Sequence, residues 1–122
     1  MTAGEAIRRV DELEPNQFSD TQKLRWLSNL DGQIYEEIIK AHADPICESF
    51  TGHTTLDDEL LAPFPYAEGL YNWYLQAMIA AENSETQRYN KRMTLFNSAY
   101  TAFSAWYTRT HRPKRGGDAF RF

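Results

Sequence analysis

The sequence predicts an all-α fold, a small antiparallel bundle of about four helices with a long irregular loop between helices two and three and a flexible basic C-terminal tail. Three observations predict it. Apolar residues recur at helical spacing along most of the chain. Three segments open on Ser or Thr followed three residues later by Glu or Gln, the signature of a capped helix start. One stretch, 45–65, loses the helical period and collects Pro45, Gly52, Pro63 and Pro65.

The first helix begins at Thr2 with Glu5 as its capping partner and places Ile7, Val10 and Leu13 on one side, ending at Pro15 and Asn16. The second opens on Ser19 and Gln22 and lines up Leu24, Leu27, Leu30, Ile34 and Ile38. Gly32 interrupts it at a cost of roughly 1 kcal/mol relative to alanine, which leaves it one helix.

The connection 45–65 is too long for an ordered loop without a purpose. Three readings stand: a functional loop, an arm lying on a neighbouring molecule, or a short hairpin pairing 46–51 with 53–56. Pro65 suits the first turn of the third helix, where Leu70, Tyr74, Ala77, Met78 and Ala81 share a side and Tyr71, Trp73 and Leu75 spread around the rest. Ser84 with Gln87 opens the fourth helix, which runs from Glu85 to about Thr110. Its stripe Tyr89, Met93, Phe96, Tyr100, Phe103 and Tyr107 steps by four and three, and a second stripe, Leu95, Ala99, Ala102 and Trp106, runs beside it. The surplus of apolar surface is either a wide internal face or a contact with a second copy of the chain. The expected core comprises Leu24, Leu27, Ile34, Ile38, Leu70, Tyr74, Met78, Phe96, Tyr100 and Phe103, and Trp26 is expected to be partly buried.

With 122 residues, 42% hydrophobic and 14% aromatic, the chain suits one domain, 1–112, packed largely by rings, with residues 113–122 as the tail. The single cysteine, Cys47, excludes an internal disulfide. No apolar run reaches the roughly 18 to 20 residues of a membrane helix, and the charged N-terminus does not read as a signal peptide, so folding in the cytoplasm is expected. The net charge of −4 is unevenly spread: residues 109–122 carry five cations against one acid, a net of +4, and residues 1–108 carry eight cations against sixteen acids, a net of −8. An acidic body repels nucleic acid, whereas the tail suits phosphate or an acidic protein surface.

No G-x-S-x-G, H-E-x-x-H or phosphate-binding glycine loop occurs, so no catalytic residue, enzyme activity or cofactor is expected. His42, Asp44, Cys47 and His53 follow no zinc spacing, and no metal site is expected. The run Asp57, Asp58 and Glu59 reads as a solvated turn. An alternative reading, a DNA-binding helical protein (a helix-turn-helix regulator or packaging-recognition subunit), is weakened by Asp20, Asp31, Glu36 and Glu37, which outnumber the cations of the second helix.

The segment "ELLAPFPYAEGLYNWYLQAMIAAENSETQRYNKRMTLFNSAYTAFSAWYTRTHRPK", Glu59–Lys114, resembles the small helical head-tail connector, or adaptor, proteins of tailed bacteriophages (head completion proteins). The likeness lies in the Leu-Leu-x-Pro-x-Pro-Tyr entry, the "LYxxYLxAMI" helix and the "RYNxxMxxFNxAYxAFxxWYxRTHxPK" helix, and the N-terminal half resembles the family only in being helical. The resemblance implies a structural virion protein that forms a homo-oligomeric ring under the portal protein after packaging. It implies further that the ring extends the channel through which packaged DNA passes and offers a surface to the tail-side connector or stopper protein. The implied location is the head-tail interface of the virion, reached from the host cytoplasm during assembly without a membrane partner. It also implies that the tail docks on the portal: Arg109, Arg112, Lys114, Arg115 and Arg121 supply charge, Gly116 and Gly117 flexibility, and Phe120 and Phe122 apolar anchors.

Overall fold

Residues 1–113 are described by a computed structural model, in which four helices follow in order. They are α1 (Ala3–Leu13), α2 (Asp20–Ile34, continued by a π-helical turn over Tyr35–Ile39), α3 (Tyr66–Glu82) and α4 (Thr86–Thr110). Among the described residues no helix is long and apolar enough to cross a membrane.

The capping box of α1 forms as expected: the Thr2 hydroxyl accepts from the Glu5 amide at 3.2 Å and the Glu5 carboxylate accepts from the Thr2 amide at 2.8 Å. That amide holds the Glu5 carboxyl below its ordinary pKa. Ala3, Ala6, Ile7 and Val10 turn inward, but Leu13 is 55% exposed because the helix ends beside it, where the Glu14 amide closes on the Val10 carbonyl at 2.7 Å. Gly4 is required by close approach: its amide donates to the Leu56 carbonyl at 2.8 Å, and a Cβ there would lie 3.0 Å from the same oxygen.

In α2 the Ser19 hydroxyl accepts from the Gln22 amide at 3.1 Å, one half of the expected capping box. Gly32 causes no break. The irregularity comes later, where the Lys40 amide reaches back five residues to the Tyr35 carbonyl at 2.9 Å. The extra residue in this turn lets the consecutive Ile38 and Ile39 both face the core.

The hairpin over 46–51 and 53–56 does not form, and no strand occurs among the described residues. The reason is competition for backbone groups: this segment pairs with other elements instead of with itself. The Leu56 carbonyl accepts from the Gly4 amide, the Ile46 amide donates to the Tyr107 hydroxyl, the Glu48 carbonyl accepts from the Tyr35 hydroxyl and the His53 amide donates to the Ser28 hydroxyl. On either side the Asp58 carbonyl accepts from Ala3, the Leu60 amide donates to Met1 and the Ala43 amide donates to Arg112.

Pro65 precedes α3, and the Pro63 carbonyl accepts from the Tyr66 and Ala67 amides at 2.9 and 3.0 Å. α3 is the central helix, packed along its length on α4 and touching both α1 and α2, while α4 packs besides on the π-helical turn. This position explains why α3 is apolar on more than one face: Leu70, Tyr71, Leu75, Ala77 and Ile79 are all buried. Ser84 does not cap α4. It sits at φ 60° and closes α3 instead, its amide bonding Ala81 at 3.1 Å and the Glu85 amide bonding Ala80 at 2.9 Å, the pair of bonds of a Schellman motif.

The main stripe of α4 faces inward, with Phe96, Phe103 and Tyr107 buried and Met93 and Tyr100 packed against them. The second stripe is divided: Ala99 and Trp106 are half-buried, whereas Leu95 and Ala102 are exposed. Of the expected core, Leu27, Ile34, Ile38, Leu70, Phe96 and Phe103 are buried, and Leu24, Tyr74, Met78 and Tyr100 pack around them half-buried. Trp26 is buried with the first group, against the edge of Phe18 at 5.4 Å.

Candidate functional site

Of the predicted partner-binding residues, Arg109 and Arg112 are described and exposed at the C-terminal end of α4; Lys114, Arg115, Phe120, Arg121 and Phe122 lie outside the described residues. The end of α4 is held by rings. Tyr107 is buried, the His111 ring stacks on it at 3.8 Å, and His42 meets its face edge-on at 5.3 Å. The Tyr107 hydroxyl accepts from the Ile46 amide at 3.3 Å, and burial raises its pKa. The Ala43 amide donates to the Arg112 carbonyl at 2.7 Å and His42 bridges Pro113, so the chain stays attached to the connection through residue 113, the first residue of the predicted tail.

Beside this end lies an open hollow of about 490 Å³, lined by Ile46, Leu61, Pro63, Phe64, Trp106 and His111 among others. Phe64 is 92% exposed, and Trp106 packs on Tyr66 with ring centres 5.3 Å apart. Arg109 and Arg112 bracket His111 in the chain, so cationic groups and an apolar hollow occur together at one end of the molecule. This arrangement suits a protein surface carrying acidic and aromatic side chains.

The connection that shapes this hollow is tied down by a buried polar cluster absent from the sequence reading as a unit. Asp31 is 0% exposed, and its carboxylate accepts from the Tyr71 hydroxyl at 2.5 Å, the His53 Nε2 at 2.6 Å and the Leu61 amide at 3.0 Å. Tyr71 in turn accepts from the Ala62 amide at 2.8 Å, and burial pushes its phenol well above the ordinary value. The His53 amide donates to the Ser28 hydroxyl at 2.9 Å. The Tyr71–Asp31 bond joins α3 to α2, and each of the others joins one of these helices to the segment 53–62. The cluster therefore fixes the path of the chain into Phe64. Its signal in the sequence is an acid at position 31, four residues after Leu27 and three before Ile34, inside the apolar stripe of α2.

A second inward polar residue was also missed. Lys23 is 2% exposed, with Nζ 2.6 Å from Asp11 and 3.2 Å from Asn16, joining the start of α2 to the end of α1. At the same end of α1, Glu14 pairs with Arg92 of α4.

The residues weighed for metal binding separate: His42 Nδ1 lies 2.6 Å from the Ile38 carbonyl, His53 is bound to Asp31, and Cys47 is half-buried, its thiol pushed up by that burial. Among the described residues no group of three His, Cys, Asp or Glu is placed to hold a metal ion. The acidic run divides as well. Asp57 is exposed, Glu59 pairs with the amino terminus at 2.6 Å, and Asp58 accepts from the Thr54 and Thr55 amides at 2.7 and 3.1 Å, which lower its pKa. Comparisons of the chain with protein-family models, with curated proteins and with solved structures find no match.

Proposed function

We propose that this chain is a subunit of the head-tail connector of a tailed bacteriophage, joining a ring beneath the portal, extending the DNA channel and presenting a surface to the tail-side connector or stopper. The observation that supports this reading is the pattern of Glu59–Lys114. In three dimensions this one segment comprises the exposed Phe64, the central α3, the aromatic α4 and the cations at its end. The hollow beside Phe64 and the exposed Leu95 and Ala102 of the second stripe are surfaces that a subunit of a larger assembly would cover. A structural role also accords with the buried Asp31 cluster, whose groups are engaged in holding the chain.

The docking residues in this proposal are Arg109 and Arg112 at the end of α4, continued by Lys114, Arg115, Phe120, Arg121 and Phe122. Charge accelerates the encounter with an acidic portal surface, and the two phenylalanines supply the apolar burial that holds the complex. The test is made in particles assembled without the protein. Heads should package DNA and then lose it, or fail to accept tails, and added wild-type protein should restore infectivity. Infectious particles formed at the normal yield without the protein overturn the assignment.

A further inference from the structure

The charges of the chain are separated into blocks. From Ala41 to Gln87 there is no lysine or arginine and there are eight acids; from Thr86 to Arg112 there is no acid and there are five cations, Arg88, Lys91, Arg92, Arg109 and Arg112. In the fold, the cation-free block is the connection and α3, and the acid-free block is α4 with the residue pair that follows it.

Each block carries one half of a complementary shape. The connection presents Phe64, the most exposed large apolar side chain among the described residues, and Glu59, which stays largely exposed while it pairs with the amino terminus, lines the same hollow. At the other end of α4 a recess of about 260 Å³ opens against α3, lined by Trp73, Gln76, Arg88, Lys91, Arg92 and Leu95. Trp73 and Leu95 supply apolar surface. Arg88 and Lys91 are exposed; Arg88 makes surface pairs with Glu85 at 3.7 Å and Glu14 at 4.0 Å, and Lys91 makes no ion pair among the described residues. Arg92 is engaged with Glu14 and with the Gln76 carbonyl at 3.1 Å. The recess therefore combines a ring and a leucine with cationic side chains, the chemistry that receives an aromatic residue from an acidic segment.

The two halves cannot meet within one molecule. Phe64 lies by Trp106 and His111, and the recess lies by Arg88 to Leu95, so about 16 Å of helix separates Leu95 from Trp106 at 1.5 Å per residue. We infer that Phe64 of one copy inserts into the Trp73–Leu95 recess of the next, with acids of the connection facing Arg88 and Lys91. The partner is a second copy of this chain. Because a projection at one end fills a recess at the other, the contact is head-to-tail, and it closes into a ring or extends as a filament according to the rotation at each step. The contact stands on the charge blocks and the two surfaces; only its closure into a ring rests on the connector reading.

The experiment uses two full-length variants. Phe64→Ser lacks the projection and keeps the recess; Leu95→Arg blocks the recess and keeps the projection. Both positions are exposed, and circular dichroism should show wild-type helix content and thermal midpoint for each. Sedimentation equilibrium of wild type should show concentration-dependent association, and each variant alone should associate at least tenfold more weakly. An equimolar mixture should form dimers and nothing larger, because one intact projection meets one intact recess and the other two surfaces are disabled. Wild type that stays monomeric up to ~1 mM, Phe64→Ser that associates as wild type does, or a mixture without dimers overturns the inference. So does loss of duplex-DNA binding in an Arg88→Glu, Lys91→Glu variant whose self-association is unchanged, which assigns the recess to nucleic acid. The two readings separate in particles: Phe64→Ser incorporated at wild-type occupancy removes the contact and leaves the connector, whereas dimers in the mixture alongside normal particles lacking the protein remove the connector and leave the contact.

Discussion

Asp31 shows how one side chain orders a long connection. Its three bonds come from Tyr71, His53 and Leu61, two of them on the connection itself, so a segment without helix or strand is held by a buried carboxylate instead of a ladder. Replacing Asp31 by alanine leaves three buried donors without their acceptor and should cost about 3–5 kcal/mol. Tyr71→Phe removes one donor and strands the Ala62 amide, and about 1–3 kcal/mol is expected. Urea denaturation of the two variants checks both values, and the order matters as much as the size: a Tyr71→Phe cost equal to or above that of Asp31→Ala would place the weight of the cluster on the phenol. Asp31 was visible in the sequence only as a misfit in an apolar stripe. Which donors it would meet was not legible, because they lie 22 to 40 positions away and no local rule pairs them.

At the scale of elements, the helices were legible because their causes are local. The Thr2–Glu5 box and the stripe from Met93 to Tyr107 each depend on residues three or four apart, and each appears where its spacing puts it. The errors lie where a local signal has two outlets. Ser84 followed by Gln87 reads as a helix start, yet the chain uses Ser84 to end α3 in a left-handed conformation, and α4 begins without a side-chain cap. A residue with a Cβ is strained there and glycine is not. Ser84→Gly should therefore stabilise the protein by about 0.5–1 kcal/mol and raise the thermal midpoint by about 2–4 °C, less than the full left-handed penalty because glycine has more unfolded-state entropy to lose. Ser84→Ala is the control. It retains the Cβ and should bring no gain; equal stabilisation by both would mean that the effect comes from the lost hydroxyl.

At the scale of the molecule, an all-α bundle follows from four periods, but the order of its layers does not. That α3 is central was foreshadowed by its apolar residues on several faces, whereas the pairing of the connection with the start of α1 had no signal beyond Gly4, which is needed only because Leu56 passes so close. The site was legible in part. Arg109 and Arg112 stand out in the sequence as cations and are exposed in the fold, but the hollow beside them is built by Ile46, Leu61 and Phe64, residues brought there by contacts distant in sequence.

The connector proposal assigns docking on the portal to the end of α4 and the residues that follow it. Tyr107, His111, Ala43 and Arg112 tie the chain down as far as Pro113. Beyond it the sequence "KRGGDAFRF" has no helical period, so its removal takes away charge and two phenylalanines without removing any part of the Phe96–Phe103–Tyr107 core. A chain ending at Pro113 should thus unfold within about 2 °C of the full-length protein, less than the shift expected of a 1 kcal/mol loss. Its attachment to the portal should nevertheless fall steeply, since cationic steering and aromatic anchoring are lost together. Substituting Phe120 and Phe122 by alanine separates the two contributions: retained attachment rate with faster release assigns the holding to the rings, because charge acts chiefly on encounter and burial on residence. A truncated chain that attaches with full-length affinity would confine docking to Arg109, Arg112 and the hollow beside Phe64.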